Sequence, residues 1–139
     1  METAVFPGKY EILADIGKFV ARAADQAGLD SQAAYAVQVA VDEACTNIIE
    51  HAYGGEGKGT ITCSVEAATG GLTVILKDTG RPFHPEKIRA PDLKSPLSKR
   101  KEGGLGMFFI RQYMDEVQYD FSNEGENRLT MIKRRSPIH

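Results

Sequence analysis

Two runs of alternating apolar and polar residues, joined by a glycine turn, most constrain the fold of this chain. A period of two indicates strands with one buried face, and a short turn between two such runs favours an antiparallel hairpin. The turn is Thr69-Gly70-Gly71, and a second hairpin turn, Asn123-Glu124-Gly125, follows later in the chain. The alternating apolar residues are Ile61, Cys63, Val65, Leu72, Val74 and Leu76, then Val117, Tyr119, Phe121, Leu129 and Met131.

Two helical segments precede the first hairpin. Apolar residues recur at helical spacing from Tyr10 to about Ala27, and Gly28 ends that run. Asp30 or Ser31 can cap a second helix that we expect to reach about His51. Its predicted buried stripe follows spacings of i, i+4, i+7 and i+11 and consists of Val37, Val41, Ala44 and Ile48.

The remaining segments complete an α+β fold. The polar, proline-containing stretch from Arg81 to Gly104 is too long for an ordinary connection and predicts a functional lid or a disordered segment. Leu105 to Met114 is apolar and of helical length, and residues 1–10 hold one edge strand at most. We therefore expect a two-layer α/β sandwich, mostly an antiparallel sheet with helices on one face, in a single domain of residues 1–139.

Composition limits the function classes. The formal net charge of -2 and the isoelectric point near 5.9 give no electrostatic case for binding nucleic acid or an anionic membrane. No segment resembles a signal peptide or is apolar for the roughly 18 residues that a membrane span needs. Cys45 and Cys63 lack metal-ligand spacing and are expected to be buried free thiols. A cytoplasmic location is therefore expected.

The second helix carries polar residues with possible chemistry. Glu43 and Asn47 are four residues apart and share one helix face, which His51 extends by another turn. An amide oxygen suits Mg²⁺, and a carboxylate one turn away could take the proton from an attacking hydroxyl. Taken alone, such a row is far more often an exposed polar face of a helix.

Two further segments complete a candidate nucleotide site. Asp78 ends a strand and could accept the exocyclic amine of adenine, while Gly80 would let a base approach closely. The glycines of Gly103-Gly104-Leu105-Gly106 precede an apolar helix and could expose backbone N–H groups to phosphate. Each segment alone has a structural explanation, a turn or a hinge, but their order along the chain is much more specific.

At this point the chain resembles the GHKL ATPase superfamily, and within it the anti-sigma factor serine kinases of bacterial partner-switching systems. The resemblance spans about Tyr10 to Lys133. Three motifs carry it: the run 41–53 around Glu43 and Asn47, the run 76–83 from Leu76 to Phe83, and the run 102–107 with its glycines. It implies a Bergerat-type ATP-binding fold.

The resemblance also implies roles for individual residues. Asn47 would hold Mg²⁺, Glu43 would act as the base, and Asp78 would read adenine. Gly80, Gly104 and Gly106 would shape the pocket, and His51 would lie near the phosphates. The remaining expected nucleotide contacts fall in or next to the second and third motifs: Phe83, Arg100, Lys101, Gly103 and Leu105.

The function implied is that of a serine/threonine protein kinase that is also an anti-sigma factor. Such kinases use Mg²⁺ and ATP to phosphorylate a serine of an anti-sigma factor antagonist, and they sequester a sigma factor. A homodimer is also implied, since relatives often dimerise through the N-terminal strand. Two alternatives stay open: an ATP-gated module that sequesters a sigma factor or other regulator with little or no catalysis, and a detached catalytic domain of a histidine kinase.

Overall fold

The computed structural model describes residues 1–82, 110–122 and 124–135 of the 139-residue chain. Five strands and two long helices lie within these ranges, together with a helical turn at 110–113. In chain order the elements are β1 Glu2–Pro7, α1 Leu13–Gln26, α2 Ser31–Asn47, β2 Thr60–Ala68, β3 Gly71–Asp78, β4 Glu116–Phe121 and β5 Asn127–Arg134.

The five strands form one antiparallel sheet in the order β1-β2-β3-β5-β4. The two predicted hairpins are β2–β3 and β4–β5, and they join because β5 pairs with β3. In that pairing Asp78 lies opposite Asn127, and Leu76 lies opposite Leu129. The N-terminal strand pairs with β2 at one edge of the sheet, where the sequence predicted one edge strand at most and gave no partner for it.

The core lies between the sheet and the two long helices. The predicted stripe of α2 is buried, with side chains of Val37, Val41, Ala44 and Ile48 at most 3% exposed. The alternating residues of β2, β3 and β5 supply the other half of the same apolar cluster. Both cysteines are free and buried, as predicted, and burial raises the pKa of the Cys63 thiol to about 12.

Helix α2 begins and ends with identifiable signals. The Asp30 carboxylate caps it by accepting a hydrogen bond from the Ala33 N–H at 2.8 Å. At its other end the helix widens into a π-helical turn, Ile48–Ala52, and then reaches glycines with positive φ, 74° at Gly54 and 76° at Gly57. The sequence predicted the helical stretch to His51 but not the wider turn, which lies at the end of the candidate site.

The predicted α+β fold and the order of its helices and strands are thus confirmed within the described residues. Most of the predicted lid and the first part of the helix predicted from Leu105 lie outside the described residues. The part of that helix that is described ends against the core, where Ile110 and Met114 are buried. Within the described ranges, no helix is both long enough and apolar enough to span a bilayer.

Candidate functional site

Asp78 is a buried carboxylate at the end of β3. Its side chain is 5% exposed, and its Oδ1 accepts hydrogen bonds from the Gly80 N–H at 2.9 Å and the Asn127 Nδ2 at 2.8 Å. Burial raises the pKa of the Asp78 carboxyl, while the two hydrogen bonds act in the opposite direction. Among the described residues no donor contacts Oδ2, so this oxygen can accept a hydrogen bond from a ligand.

The loop after Asp78 packs against the end of the π-helical turn. The Arg81 N–H donates to the Ala52 carbonyl at 2.7 Å, and Gly80 lies directly against the Ala52 backbone. A Cβ on Gly80 would come within 2.6 Å of the Ala52 carbonyl carbon and oxygen. The absence of a side chain at Gly80 is therefore required by this packing, a reason that sequence analysis did not give. The contact joins the first two sequence motifs.

Asn47 is the last residue of α2 and is 3% exposed. Its Nδ2 is buried and has no hydrogen-bond partner among the described residues. A buried amide without a partner is costly, so a residue in this state suits a site that a ligand completes. The unpartnered N–H of Asn47 fits a donor to phosphate, and the amide oxygen of the same side chain is the atom that could bind Mg²⁺.

Two other residues of this helix face were expected in the site. Glu43 lies one turn before Asn47 and is half-buried, and His51 lies within the π-helical turn. Burial raises the pKa of the Glu43 carboxyl, and the nearby charges of Asp42 and Glu50 raise it further. A carboxylate with a raised pKa is a stronger base, which is the property needed for the role expected of Glu43.

Tyr53 ties the candidate site to the sheet. Its hydroxyl donates to the Thr60 carbonyl at 2.6 Å and accepts the Thr79 N–H at 3.0 Å. The side chain therefore connects the end of the helical layer, the start of β2 and the residue after Asp78. Sequence analysis placed Tyr53 in the first motif but gave it no role.

Asn127 is the residue that sequence analysis missed. It is 2% exposed at the start of β5, and its Nδ2 donates both to Asp78 Oδ1 and to the Gly80 carbonyl at 3.0 Å. The position follows the predicted turn of the second hairpin, but only the β3–β5 register brings it to Asp78. An asparagine two residues after the turn glycine Gly125 was the available signal, and the sequence alone could not say which strand β5 joins.

The other expected nucleotide contacts are Phe83, Arg100, Lys101, Gly103, Gly104, Leu105 and Gly106, and all of them lie outside the described residues. Within the described ranges, no group of three or more histidine, cysteine or acidic side chains could hold a metal ion. The structure brings together the end of the first motif, at Ala52, and the Gly80–Arg81 part of the second. The described part of the candidate site is therefore Asp78 with the loop after it and the helix face of Glu43, Asn47 and His51.

Comparison with known proteins identifies the family. The model of the histidine kinase-like ATPase domain matches residues 6–133. The chain belongs to this family. The match extends from β1 to near the end of β5 and so includes Glu43, Asn47, Asp78 and Asn127. The family resemblance stated from the three motifs is thereby confirmed. The family description names an ATPase domain, which agrees with the expected binding of ATP.

Similar sequences are named as serine-protein kinases. The serine-protein kinase RsbW of Halalkalibacterium halodurans is 34% identical over 116 residues, covering 81% of this chain and 70% of that protein. The serine-protein kinase RsbW of Bacillus mycoides is 32% identical over 116 residues, covering 81% of this chain and 72% of that protein. These relatives support the narrower resemblance to serine kinases.

Similar solved structures confirm the fold. The RsbU and RsbW domains of Rv1364c from Mycobacterium tuberculosis superpose with a TM-score of 0.61 at 12% identity, over all of this chain and 34% of that one. This chain thus spans about a third of that structure's length. The histidine kinase domain of a blue-light activated kinase from Erythrobacter litoralis gives 0.55 at 17% identity, over 91% of this chain and 60% of that one.

Proposed function

We propose that this chain is an ATP-dependent serine protein kinase that also acts as an anti-sigma factor in a partner-switching system. Its protein substrate is a serine of an anti-sigma factor antagonist, and its second partner is a sigma factor or analogous regulator. The observation that carries the proposal is the Ala52–Gly80–Arg81 contact, which joins the end of the helical segment that holds Glu43 and Asn47 to the loop after the buried carboxylate of Asp78.

Each described residue has a defined task in this proposal. Asp78 Oδ2 accepts the amine of adenine, and Asn47 holds Mg²⁺ through its amide oxygen. Bound Mg²⁺ supplies positive charge that offsets the charge of the phosphates during transfer. Glu43 accepts the proton of the serine hydroxyl, which its raised pKa favours. His51 lies next along the same helix face, on the side where the phosphates are expected.

The relatives support transfer to serine in particular. Both similar sequences described above carry the name serine-protein kinase, and each aligns over 81% of this chain. The histidine kinase fold neighbour supports only the shared fold, because its identity is 17%. A homodimer is part of the proposal, and β1 supports it as a sheet edge with Val5 64% exposed.

The test is phosphoryl transfer from Mg·ATP to a purified antagonist protein, followed by intact-mass spectrometry. We expect one phosphoserine on the antagonist with the wild-type chain. Glu43→Gln should slow transfer about 10²- to 10⁴-fold, the usual contribution of a positioned base. Asp15→Asn, which removes an exposed carboxylate from α1, is the matched control and should leave the rate unchanged.

Transfer that proceeds at the wild-type rate without the Glu43 carboxylate would contradict the assigned role of Glu43. No transfer by the wild-type chain, together with nucleotide-dependent binding of a sigma factor, would instead support the non-catalytic regulatory module. The two outcomes are separable because binding of the sigma factor can be measured by titration in the same samples.

A further inference from the structure

Asn127 contacts the candidate base-reading carboxylate from the neighbouring strand. Its Nδ2 lies 2.8 Å from Asp78 Oδ1 and 3.0 Å from the Gly80 carbonyl oxygen. A carbonyl oxygen and an ionised carboxylate oxygen accept hydrogen bonds and cannot donate them. The amide nitrogen of Asn127, not its amide oxygen, must therefore face these two oxygens. The orientation of the amide is therefore fixed by its two partners.

These contacts use both N–H groups of the amide. One holds a carboxylate oxygen and the other holds the backbone of the residue that packs on Ala52. Asp78 Oδ1 also accepts the Gly80 N–H, so this oxygen has two donors and is not available to a ligand. The carboxylate cannot rotate about its own axis without breaking both bonds.

We propose that Asn127 is a positioning residue for base recognition: it holds Asp78 Oδ1 and the Gly80 carbonyl, so that Oδ2 alone is presented to a base amine. This proposal rests on the proposed function, in which Asp78 reads adenine. It assigns to β5 a specificity role that acts through Asp78. A single, fixed acceptor favours a base with an amine at that point over one with a carbonyl.

The consequence is selectivity for ATP over inosine triphosphate. The base of inosine triphosphate has a carbonyl in place of the adenine amine, so its oxygen would face an ionised carboxylate oxygen without a donor between them. A buried acceptor left unpaired in this way is costly, and such sites discriminate strongly. Without the amide of Asn127, the carboxylate can rotate or hold a proton, and a protonated carboxyl can donate to that carbonyl.

The test measures the dissociation constants of ATP and inosine triphosphate by calorimetry for wild type and Asn127→Leu. Leucine branches at Cγ as asparagine does and has no donor, so it keeps the outline of the side chain and removes both hydrogen bonds. We expect Asn127→Leu to weaken ATP binding about tenfold, the effect of losing one hydrogen bond to a charged group, and to weaken inosine triphosphate binding much less. Equal weakening of both nucleotides would overturn the proposal, because a purely structural residue would produce it.

A second arm asks whether Asn127 acts through Asp78. In an Asp78→Ala background, Asn127→Leu should cause no further change in ATP affinity, as a double-mutant cycle requires of a residue that works only through its partner. A full tenfold effect in that background would overturn the proposal. Asn127→Ser keeps one donor, so its ATP affinity should fall between those of wild type and Asn127→Leu. It replaces Asn127→Leu in both measurements if the leucine variant does not fold.

Failure of the proposed function gives a different result. The wild-type chain could prefer ATP strongly over inosine triphosphate and yet transfer no phosphate. That result contradicts the kinase assignment, and the affinities of the Asn127 variants still test the positioning role of Asn127. A wild-type chain with no preference between the two nucleotides overturns the role of Asn127 directly, whatever its transfer activity.

Discussion

The Arg81 N–H donates to the Ala52 carbonyl oxygen across 2.7 Å, although the two residues belong to different sequence motifs. This bond lies between the π-helical turn that ends the first motif and the loop that follows Asp78. It explains how a helix end and a strand end that are about 30 residues apart in the chain lie together. The geometry of the candidate site therefore depends on close backbone packing at this junction.

Gly80→Ala tests that packing. A Cβ at Gly80 would lie 2.6 Å from the Ala52 carbonyl carbon and oxygen and 2.9 Å from the Ala52 Cβ, so backbone must move. We expect the free energy of unfolding to fall by about 1–3 kcal/mol, as in other overpacked sites, and ATP affinity to fall with it. Chemical denaturation and calorimetry measure the two effects.

Gly17→Ala is the matched control for that substitution. Gly17 lies within α1, and a Cβ there would meet no atom within 4 Å. Because alanine favours the helix over glycine, the variant should gain about 0.5–1 kcal/mol of stability and bind ATP as wild type does. A Gly80→Ala protein that is as stable as wild type would contradict the packing described here.

The raised pKa of Glu43 predicts the pH dependence of phosphoryl transfer. The base must be ionised, so the rate should rise with pH through a midpoint above the ordinary pKa of glutamate. Asp42→Asn removes a negative charge that raises this pKa, so the midpoint should move to lower pH. Profiles of kcat/KM against pH for both proteins measure the shift.

The control for this shift is Asp25→Asn, which removes an exposed carboxylate from α1 and should leave the midpoint where wild type has it. A midpoint that moves upward in Asp42→Asn would contradict the electrostatic origin of the raised pKa. A rate with no acid limb would contradict the role of Glu43 as the base.

Much of the fold was predictable because periodicity is a local property. The two hairpins, the two long helices and the Asp30 cap follow from residue spacing and turn chemistry within short windows. The pairing of β3 with β5 was not predictable in this way, because it joins residues that are far apart in sequence. The predicted strands are compatible with more than one order in the sheet.

The candidate site was predictable in part for the same reason. Glu43, Asn47 and Asp78 were identified from motifs, but the contact of Asn127 with Asp78 spans 49 residues and depends on strand order. The π-helical turn at Ile48–Ala52 also escaped prediction. Its residues suit an α-helix equally well, and the Ala52 carbonyl that accepts the Arg81 N–H is at the end of this wider turn.

Asp78→Asn should stabilise the protein while weakening ATP binding. Burial raises the pKa of Asp78, so the folded state binds more protons than the unfolded chain between the ordinary pKa of aspartate, about 3.9, and the raised value. Stability is therefore lost as pH rises through that window, and the loss is complete at neutral pH. Asparagine carries no charge and avoids the loss.

Thermal unfolding of the two proteins at a series of pH values measures this effect. The midpoint of Asp78→Asn should exceed that of wild type at neutral pH, and the difference should shrink toward acid pH. Asp15→Asn changes an exposed position, so the difference between its unfolding midpoint and that of wild type should not vary with pH in this way. A wild-type protein that is more stable than Asp78→Asn at neutral pH would show that the hydrogen bonds to the carboxylate outweigh its burial.

Tyr53→Phe tests the link between the helical layer and the sheet. The hydroxyl donates to the Thr60 carbonyl, accepts from the Thr79 N–H and has a longer contact of 3.5 Å with the Thr79 hydroxyl, so its removal should cost about 1 kcal/mol of stability. Hydrogen exchange at the Thr79 amide should become faster. Tyr35→Phe, whose side chain is 63% exposed, is the control and should change neither quantity.

The most direct measurement of the central claim is ATP affinity, with and without Mg²⁺, for wild type, Asp78→Asn and Asn47→Ala. If Asp78 reads the base, Asp78→Asn should weaken binding at least about tenfold under both conditions, as expected when a buried polar contact is lost. If Asn47 holds the metal, Asn47→Ala should weaken binding mainly when Mg²⁺ is present. ATP affinities that neither substitution alters would contradict a nucleotide site at the junction of Ala52 and Gly80.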